Sequence, residues 1–154
     1  MLLENDPANP CFGCGPENPL GLRLAFAREG DDVRAQLRVT ESMVGWPQRL
    51  HSGLLYLALL ETANWTVYGT LGRVGLPTRT GALDGKRWVR VGETLTLRGS
   101  WDAAARVARC EALDERGELV ARLEREYVFP TRAEFRARMG EDALPPEFEE
   151  LVPE

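Results

Sequence analysis

The 154-residue sequence predicts an α+β fold in which an antiparallel sheet of five to six strands packs around one central helix. Three observations support this prediction. Apolar and polar residues alternate in Val33–Val39, as expected for a strand with one buried face. The run Leu54–Leu60 is apolar throughout and rich in the helix-forming residues Leu and Ala. After it, several strand-like runs follow one another, separated by short turns, which is typical of a meander.

The first two strands are predicted to form a hairpin. Leu22–Phe26 and Val33–Val39 both alternate between apolar and polar residues. Glu29–Asp32, between them, contains the Gly and Asp residues that turns favour. We therefore expect these two strands to pair in antiparallel fashion.

A long helix follows the hairpin. Pro47 and Gly53 interrupt the chain before the apolar run, and Ser52 is of a residue type favoured as an N-cap. The helix is predicted to begin near Ser52 and to end near Leu71, before Gly72. It is apolar nearly all the way round, so we expect protein to cover it on most sides. Its first backbone N–H groups lack intrahelical partners and can stabilise negative charge in front of them.

The later strands are predicted from alternation and from turns at Val91–Glu93, Asp102–Ala104 and Asp114–Gly117. They span Arg79–Val89, Glu93–Trp101, Arg106–Leu113 and Leu119–Phe129.

The C-terminal segment is predicted to be a polar helix followed by a tail. Pro130 ends the last strand, and Thr131 and Glu134 have the spacing of a capping box. We assign residues 1–131 to the sheet-and-helix domain. Residues 132–154, which include Pro145-Pro146 and an acidic cluster, are assigned to a peripheral part of the same domain.

Composition excludes several classes of function. The net charge of -5 argues against nucleic-acid binding, which depends on clustered Lys and Arg. No apolar run approaches the roughly 20 residues of a membrane span, and Met1–Asp6 lacks a signal-peptide pattern. Three cysteines are an odd number and do not form a disulfide framework. We therefore expect a cytoplasmic protein with reduced thiols and no membrane partner.

Two segments resemble a known family. The sequence CFGCGPENPLGLRL, Cys11 to Leu24, is similar to the N-terminal signature of the phenylacetic-acid-pathway-like branch of the hotdog-fold acyl-CoA thioesterases. LHSGLLYLALLETANW, Leu50 to Trp65, is similar to the HGG helix segment of that superfamily. The resemblance implies a curved antiparallel sheet around a central helix, and homodimers or homotetramers. It also implies active sites at the subunit interface that take a small-molecule acyl thioester, with CoA as part of the substrate and no further cofactor.

The helix segment departs from the family pattern at two positions. His-Gly-Gly appears as His51-Ser52-Gly53, and the acidic residue expected nine positions after the His is Leu60. Glu61 follows one position later, and a one-residue offset rotates a side chain by about 100° around a helix. Two functions therefore remain.

In the first function the protein is a thioesterase. Glu61 is the base or nucleophile, and a backbone N–H near Ser52 or Gly53 polarises the carbonyl. In the second, the protein is a catalytically silent hotdog domain that binds acyl-CoA or another apolar ligand. The acyl group itself is not specified by the sequence.

Three polar residues have two possible roles each. His51, the only histidine, either orients groups near the thioester or caps backbone groups at the helix entrance. Asn18 either presents its amide to the pocket or holds a loop through backbone contacts. Asn64 either lines the site or faces the end of a strand.

Cys11 and Cys14 have the spacing of metal ligands, but a lone pair supplies only two of the four ligands of a structural zinc site. The nearest further candidates are His51 and Cys110. The alternative is a compact turn shaped by glycines with the thiols packed inside, and no metal is predicted.

Arg87, Trp88 and Arg90 are predicted to lie at the end of a strand near the pocket of a partner subunit. There the two Arg residues can bind CoA phosphates, and Trp88 can lie against adenine or pantetheine. The alternative is a strand with a solvated Arg face and a packed Trp.

Overall fold

A computed structural model describes residues 1–141 and 149–154. The elements, in chain order, are β1 (Ala27–Glu29), β2 (Asp32–Arg38), a single 3-10 turn (Glu41–Met43), β3 (Val44–Trp46), β4 (Arg49–Leu50), α1 (Ser52–Leu71), β5 (Leu76–Thr80), β6 (Asp84–Gly85), β7 (Thr94–Asp102), β8 (Val107–Leu113), β9 (Leu119–Val128) and α2 (Arg132–Met139). No helix among the described residues combines the length and the apolar character needed to cross a bilayer.

The main sheet has seven strands in the order β1-β2-β7-β8-β9-β5, with β6 also paired to β9. Every pairing within the described residues is antiparallel. The predicted order of two strands, one long helix and then a meander is confirmed. The sheet has seven strands rather than five or six because the run predicted as Arg79–Val89 forms two short strands. Strands β3 and β4 form a separate hairpin.

The first predicted strand lies in the wrong place. The predicted hairpin is present, with Gly30 at φ 63° in its turn, but its first strand is Ala27–Glu29 rather than Leu22–Phe26. Arg23 has φ 50°, which interrupts an extended chain. The N–H groups of Leu22 and Leu24 instead donate to the carbonyls of Phe12 and Gly13. This segment therefore packs against the cysteine turn.

The predicted strand Arg79–Val89 is also wrong as a single strand. Only Leu76–Thr80 and Asp84–Gly85 pair with β9, and the first pairing contains a register shift between Pro77 and Arg79. The Lys86 N–H still donates to the Val120 carbonyl of β9 at 2.7 Å. Beyond Lys86 the chain leaves β9, and the Val89 carbonyl accepts a hydrogen bond from the Leu50 N–H at 2.9 Å. Residues 86–90 are thereby placed beside the amino end of α1.

Helix α1 packs across the sheet and contacts β1, β2, β7, β8 and β9. Its predicted end is confirmed, since Gly72 caps it in the left-handed conformation at φ 63°. The fully buried face consists of Leu55, Ala58, Leu59, Thr62, Ala63, Thr66 and Val67. Tyr56, Leu57 and Leu60 are only half-buried in the single chain, so the expected covering on most sides is incomplete here.

Helix α1 approaches the sheet closely at Gly99 on β7. A Cβ atom added there would lie 1.9 Å from Thr66 Oγ1 and 3.1 Å from Thr62 Cγ2. Only a residue without a side chain fits this contact. The adjacent core is formed by fully buried Leu95 and Leu97 from the same strand.

The C-terminal helix α2 has the predicted capping box. The Glu134 N–H donates to Thr131 Oγ1, and the Thr131 N–H donates to Glu134 Oε2. Phe135 packs with Leu76 and Val152 in a small second core. The predicted Pro145-Pro146 tail segment lies outside the described residues.

Candidate functional site

The amino end of α1 carries one unpaired backbone donor. His51 Nδ1 accepts from the Gly53 N–H at 2.9 Å. The His51 carbonyl accepts from the N–H groups of Leu54 and Leu55 at 3.0 and 3.2 Å. Across residues 1–141 and 149–154, no acceptor lies within hydrogen-bonding distance of the Ser52 N–H. Ser52 is an exposed residue, and its N–H lies at the positive end of the helix dipole.

The N-cap of α1 is His51, whereas the sequence predicted Ser52. The imidazole nitrogen satisfies one of the orphan N–H groups of the first turn, so the capping role left open for His51 is confirmed. Its ring packs against Gly45, where an added Cβ would lie 2.5 Å from His51 Cδ2. This contact fixes the ring and, through the cap, the direction of the helix entrance.

A cleft of about 350 Å³ opens beside this helix end. Its aliphatic walls come from Leu50, Leu55, Leu83 and Val89. Its polar rim comes from Ser52, Lys86, Arg87 and Trp88. An apolar chain can lie between the walls while a polar group reaches the Ser52 N–H.

Arg87 is fixed by two carboxylates. Its Nη2 lies 2.7 Å from Glu93 Oε2 and 3.0 Å from Asp114 Oδ2, and its Nη1 donates to the Trp88 carbonyl at 2.9 Å. Hydrogen bonding to Glu93 raises the pKa of Arg87, and hydrogen bonding from Arg87 lowers the pKa of Glu93. The predicted phosphate-binding charge of Arg87 is thus already balanced. Lys86 is likewise held by both oxygens of Asp84, at 2.8 Å each.

Trp88 and Arg90 are accessible at the same end of the molecule. The Trp88 side chain is 65% exposed at the cleft rim, and Trp46 of the β3–β4 hairpin is 71% exposed. Neither Trp88 nor Arg90 lies in a strand, contrary to the prediction that they end one. The Arg90 N–H donates to Glu93 Oε1 at 2.7 Å, and its exposed guanidinium takes part in no ion pair among the described residues. Arg90 is therefore the accessible cation of the predicted Arg87–Trp88–Arg90 set.

Glu61 lies far from the helix entrance of its own chain. It lies nine positions after Ser52 in α1, which corresponds to about 13 Å along the helix axis. Its side chain packs on the cysteine turn, where a Cβ added at Gly13 would lie 2.2 Å from Glu61 Cγ. Within one chain, Glu61 and the Ser52 N–H cannot act on the same carbonyl group.

The carboxylate of Glu61 lies beside both thiols of the turn. One oxygen of Glu61 and the sulfurs of Cys11 and Cys14 all lie within 4.8 Å of one another. Burial, and secondarily the charge of Glu61, raise the pKa of Cys14. Neither His51 nor Cys110, the further ligands considered from the sequence, belongs to this group.

A second cavity, of about 390 Å³, adjoins the same carboxylate. Asn64 lines it, and Asn64 Oδ1 accepts from Tyr127 Oη at 2.7 Å and from Arg125 Nη1 at 3.0 Å. Asn64 therefore both lines a cavity and meets strand β9. Burial raises the pKa of Tyr127, so its hydroxyl stays a donor in this contact.

Asn18 holds a loop, as the second of its two interpretations states. Its Nδ2 donates to the Pro10 carbonyl at 3.0 Å, and its Oδ1 accepts from the Leu20 N–H at 3.0 Å. Arg23 Nε adds a hydrogen bond to the Asn18 carbonyl at 2.9 Å. Both polar atoms of the side chain are thus used inside the loop.

Sequence reasoning missed two features of this region. The aliphatic cleft walls at Leu50 and Leu83 lie far apart in sequence, and no local pattern joins them. The contact between Glu61 and the cysteine turn had a partial signal in Gly13, which leaves room for a neighbouring side chain. That signal does not identify which side chain fills the space.

Solved structures match this architecture, although no protein-family model matches the chain and no curated protein matches its sequence significantly. A thioesterase superfamily protein matches with a TM-score of 0.68 and 23% identity, over 74% of this chain and 60% of that one. A hypothetical thioesterase from Streptococcus pneumoniae, solved with coenzyme A, has a TM-score of 0.59 and 15% identity, over 68% and 88%. A Streptococcus mutans protein bound to acetyl CoA matches with a TM-score of 0.58 and 14% identity, over 68% of this chain and 88% of that one.

These similarities establish the fold. The chain spans only 60% of the length of the first structure, whereas it spans 88% of each of the other two.

Proposed function

Since the chain has the hotdog fold found in thioesterase superfamily structures, we propose that it binds an acyl-CoA thioester and hydrolyses it at an interface between two copies. The observation that carries this proposal is the Ser52 N–H, which donates no hydrogen bond to any described residue and belongs to an exposed residue lining an apolar cleft. Coenzyme A and acetyl CoA in two of the similar structures support the class of ligand.

In this proposal the thioester carbonyl oxygen accepts a hydrogen bond from the Ser52 N–H. The apolar part of the substrate lies against Leu50 and Leu83, and the ring of Trp88 packs against adenine or pantetheine. Arg90 supplies the cation for a CoA phosphate. Arg87 positions the Trp88 backbone through its carbonyl, because its charge is balanced by Glu93 and Asp114.

The base in this proposal is Glu61 of the second copy, because Glu61 of the same chain is about 13 Å away along α1. Glu61 accepts a proton from water as the water oxygen attacks the carbonyl carbon. The oxyanion that forms is stabilised by the Ser52 N–H. The C–S bond then breaks, and the proton passes to the CoA thiolate, leaving the free acid and CoA. The half-buried apolar residues Tyr56, Leu57 and Leu60 support an assembly that covers α1 further.

A matched pair of variants at Ser52 tests the oxyanion donor. Ser52→Pro removes the N–H at the first helical position, where proline is tolerated, and His51 at φ -63° and ψ 126° already has the backbone that precedes proline. Ser52→Ala keeps the N–H. We expect release of CoA, followed with a thiol reagent over a panel of acyl-CoA substrates, to fall about 10²–10³-fold in Ser52→Pro and to persist in Ser52→Ala. Equal turnover in the two variants would exclude this donor.

Glu61→Gln tests the base, with Glu115→Gln on an exposed turn as its control. We expect a loss of roughly 10²–10⁴-fold in turnover for the first variant only. Mixing Ser52→Pro with Glu61→Gln subunits should restore about one quarter of wild-type turnover, because half of the dimers then contain one complete site. No recovery of turnover on mixing would contradict an active site that combines the Ser52 N–H of one subunit with the Glu61 carboxylate of the other.

The second candidate function is binding of acyl-CoA without hydrolysis. The placement of Glu61 among the cysteine thiols, together with Leu60 at the position of the family acid, favours it. Titration calorimetry with acyl-CoA separates the two functions. Stoichiometric binding that Trp88→Ala weakens, without release of CoA by the wild type, is the result expected for a binding protein.

A further inference from the structure

We propose that Cys11, Cys14 and Glu61 form a binding site for one transition-metal ion of the Zn²⁺ class. The site is argued from the cysteine turn alone and does not rest on the proposed acyl-CoA chemistry. With a metal bound, the Glu61 carboxylate is a ligand rather than a base, so the proposed hydrolysis belongs to the metal-free chain.

The spacing of the three ligand atoms fits a single ion. Two sulfurs and one carboxylate oxygen lie within 4.8 Å of one another. Zn–S bonds of about 2.3 Å and Zn–O bonds of about 2.0–2.2 Å bring tetrahedral ligands to roughly 3.5 Å from one another. In the metal-bound form the three side chains rotate so that their ligand atoms move closer together.

The backbone of the cysteine turn is held in place before any metal binds. The Gly15 N–H donates to the Cys11 carbonyl at 2.9 Å. A Cβ at Gly15 would lie 2.6 Å from that oxygen, so glycine is required there. The Phe12 and Gly13 carbonyls accept from the segment that follows the turn, at 2.8 and 3.0 Å. A turn that is already ordered loses little further freedom when it binds an ion.

Asn9 contacts both cysteines, at the backbone of Cys11 and at the thiol of Cys14. Its Oδ1 accepts from the Cys11 N–H at 2.9 Å, and its Nδ2 lies 3.6 Å from Cys14 Sγ and donates to it. An N–H donor aimed at a sulfur stabilises a thiolate ligand, which is the arrangement that orients ligands around protein-bound metals.

Glu61 is a half-buried carboxylate with no cationic partner among the described residues. It takes part in no ion pair with any residue that the structure describes. Its stem occupies the space that the missing side chain of Gly13 leaves, which directs the carboxylate toward the two thiols. A partly desolvated negative charge beside two potential thiolates is stabilised best by a divalent cation.

The ligand types select the metal. Thiolates favour Zn²⁺ and other soft or borderline ions over Mg²⁺ and Ca²⁺, which prefer oxygen. Three protein ligands leave a fourth position, which faces the cavity of about 390 Å³ that Cys11, Cys14 and Glu61 help to line. Water from that cavity completes the coordination. Any thiol that is protonated gives up its proton to the solvent as the metal binds.

The test uses the reduced full-length chain with Zn²⁺ and with Co²⁺. Competition with a chromophoric chelator should give one Zn²⁺ per chain. The Co²⁺ form should show a thiolate-to-metal charge-transfer absorption band. We expect Cys11→Ser and Cys14→Ser each to lower affinity by more than about 100-fold, since losing a ligand costs more than losing a supporting partner. At saturating Co²⁺ each variant should show a weaker band, because one thiolate remains. Cys110→Ala, remote from the turn, should bind as the wild type does.

Two further variants keep both thiols. Glu61→Gln removes the charge, and Gly13→Ala displaces the carboxylate, because the new Cβ would lie 2.7 Å from Glu61 Cδ. Each should weaken Zn²⁺ binding by about tenfold or more while the Co²⁺ band persists. Far-ultraviolet circular dichroism checks that each variant is folded. Less than half an equivalent of Zn²⁺ on the reduced wild type, or unchanged affinity in the two serine variants, would overturn the proposal.

Discussion

Replacing Gly99 with alanine tests how closely α1 is pressed against the sheet. The added Cβ would lie 1.9 Å from Thr66 Oγ1, where ordinary contact requires at least 3.4 Å. Either the helix moves away from β7 or the Thr66 side chain rotates. Rotation breaks the hydrogen bond from Thr66 Oγ1 to the Thr62 carbonyl, which measures 2.6 Å.

The size of the effect depends on the overpacking at Thr66 and on the loss of its hydrogen bond. Overpacking in a core costs about 1–3 kcal/mol, and a lost hydrogen bond about 1 kcal/mol. Replacing glycine restricts the unfolded chain, which returns roughly 0.4–1 kcal/mol. We expect the free energy of unfolding to fall by about 1–3 kcal/mol, which for a chain of this length lowers Tm by roughly 3–10 °C.

Urea denaturation and thermal melting measure this difference. Gly85→Ala is the matched control, because nothing lies within 4 Å of its added Cβ, and it should melt at or slightly above the wild-type temperature. Combining Gly99→Ala with Thr66→Ala removes the clashing oxygen, so the double variant should be more stable than the sum of the single changes by about 0.5 kcal/mol or more. Equal melting temperatures for Gly99→Ala and Gly85→Ala would refute the packing argument. So would a double variant whose loss of stability equals the sum of the losses in Gly99→Ala and Thr66→Ala.

Three further predictions concern single contacts, and urea denaturation measures each. His51→Ala removes the N-cap of α1 and should lower the free energy of unfolding by about 1 kcal/mol. Tyr127→Phe removes the 2.7 Å hydrogen bond to Asn64 and should cost about 1 kcal/mol; no change would mean that solvent replaces it. Hydrogen bonding from Arg87 lowers the pKa of Glu93 in the folded protein below its ordinary value of 4.5. The ionised Glu93 side chain therefore stabilises the folded protein above pH 4.5, and this stabilisation is lost as the pH falls through the pKa of Glu93 in the folded protein. Glu93→Gln should therefore lose less stability on acidification, and a parallel pH profile would contradict this.

Local signals predicted much of the fold. The alternation in Val33–Val39, the left-handed cap at Gly72 and the capping box at Thr131 each depend on residues close together in sequence. For the same reason the helix and most of the meander were predicted within a few residues of their ends. The wrong first strand depends on Arg23, whose positive φ has no signature in residue type.

The candidate site was predicted less completely, because its parts come from distant segments. The sequence identified the helix entrance, since Ser52 and Gly53 are adjacent to the apolar run. It paired Glu61 with a backbone N–H at this entrance without specifying which subunit supplies each, and the structure places that carboxylate at the cysteine turn of its own chain. The pairing of Arg87 with Asp114 across two loops is likewise a tertiary contact that periodicity does not contain.

Three of the four tryptophans of the chain lie in different environments. Trp88 stands at the rim of the cleft with 65% exposure, Trp65 lines the cavity beside the cysteine turn, and Trp101 packs edge-on against Tyr127. Indole emission consequently reports on each place without a label. Occupation of the cleft shields Trp88 from acrylamide, whereas a paramagnetic ion at the turn quenches Trp65 through space. Steady-state fluorescence of single-tryptophan variants can therefore follow the two sites independently.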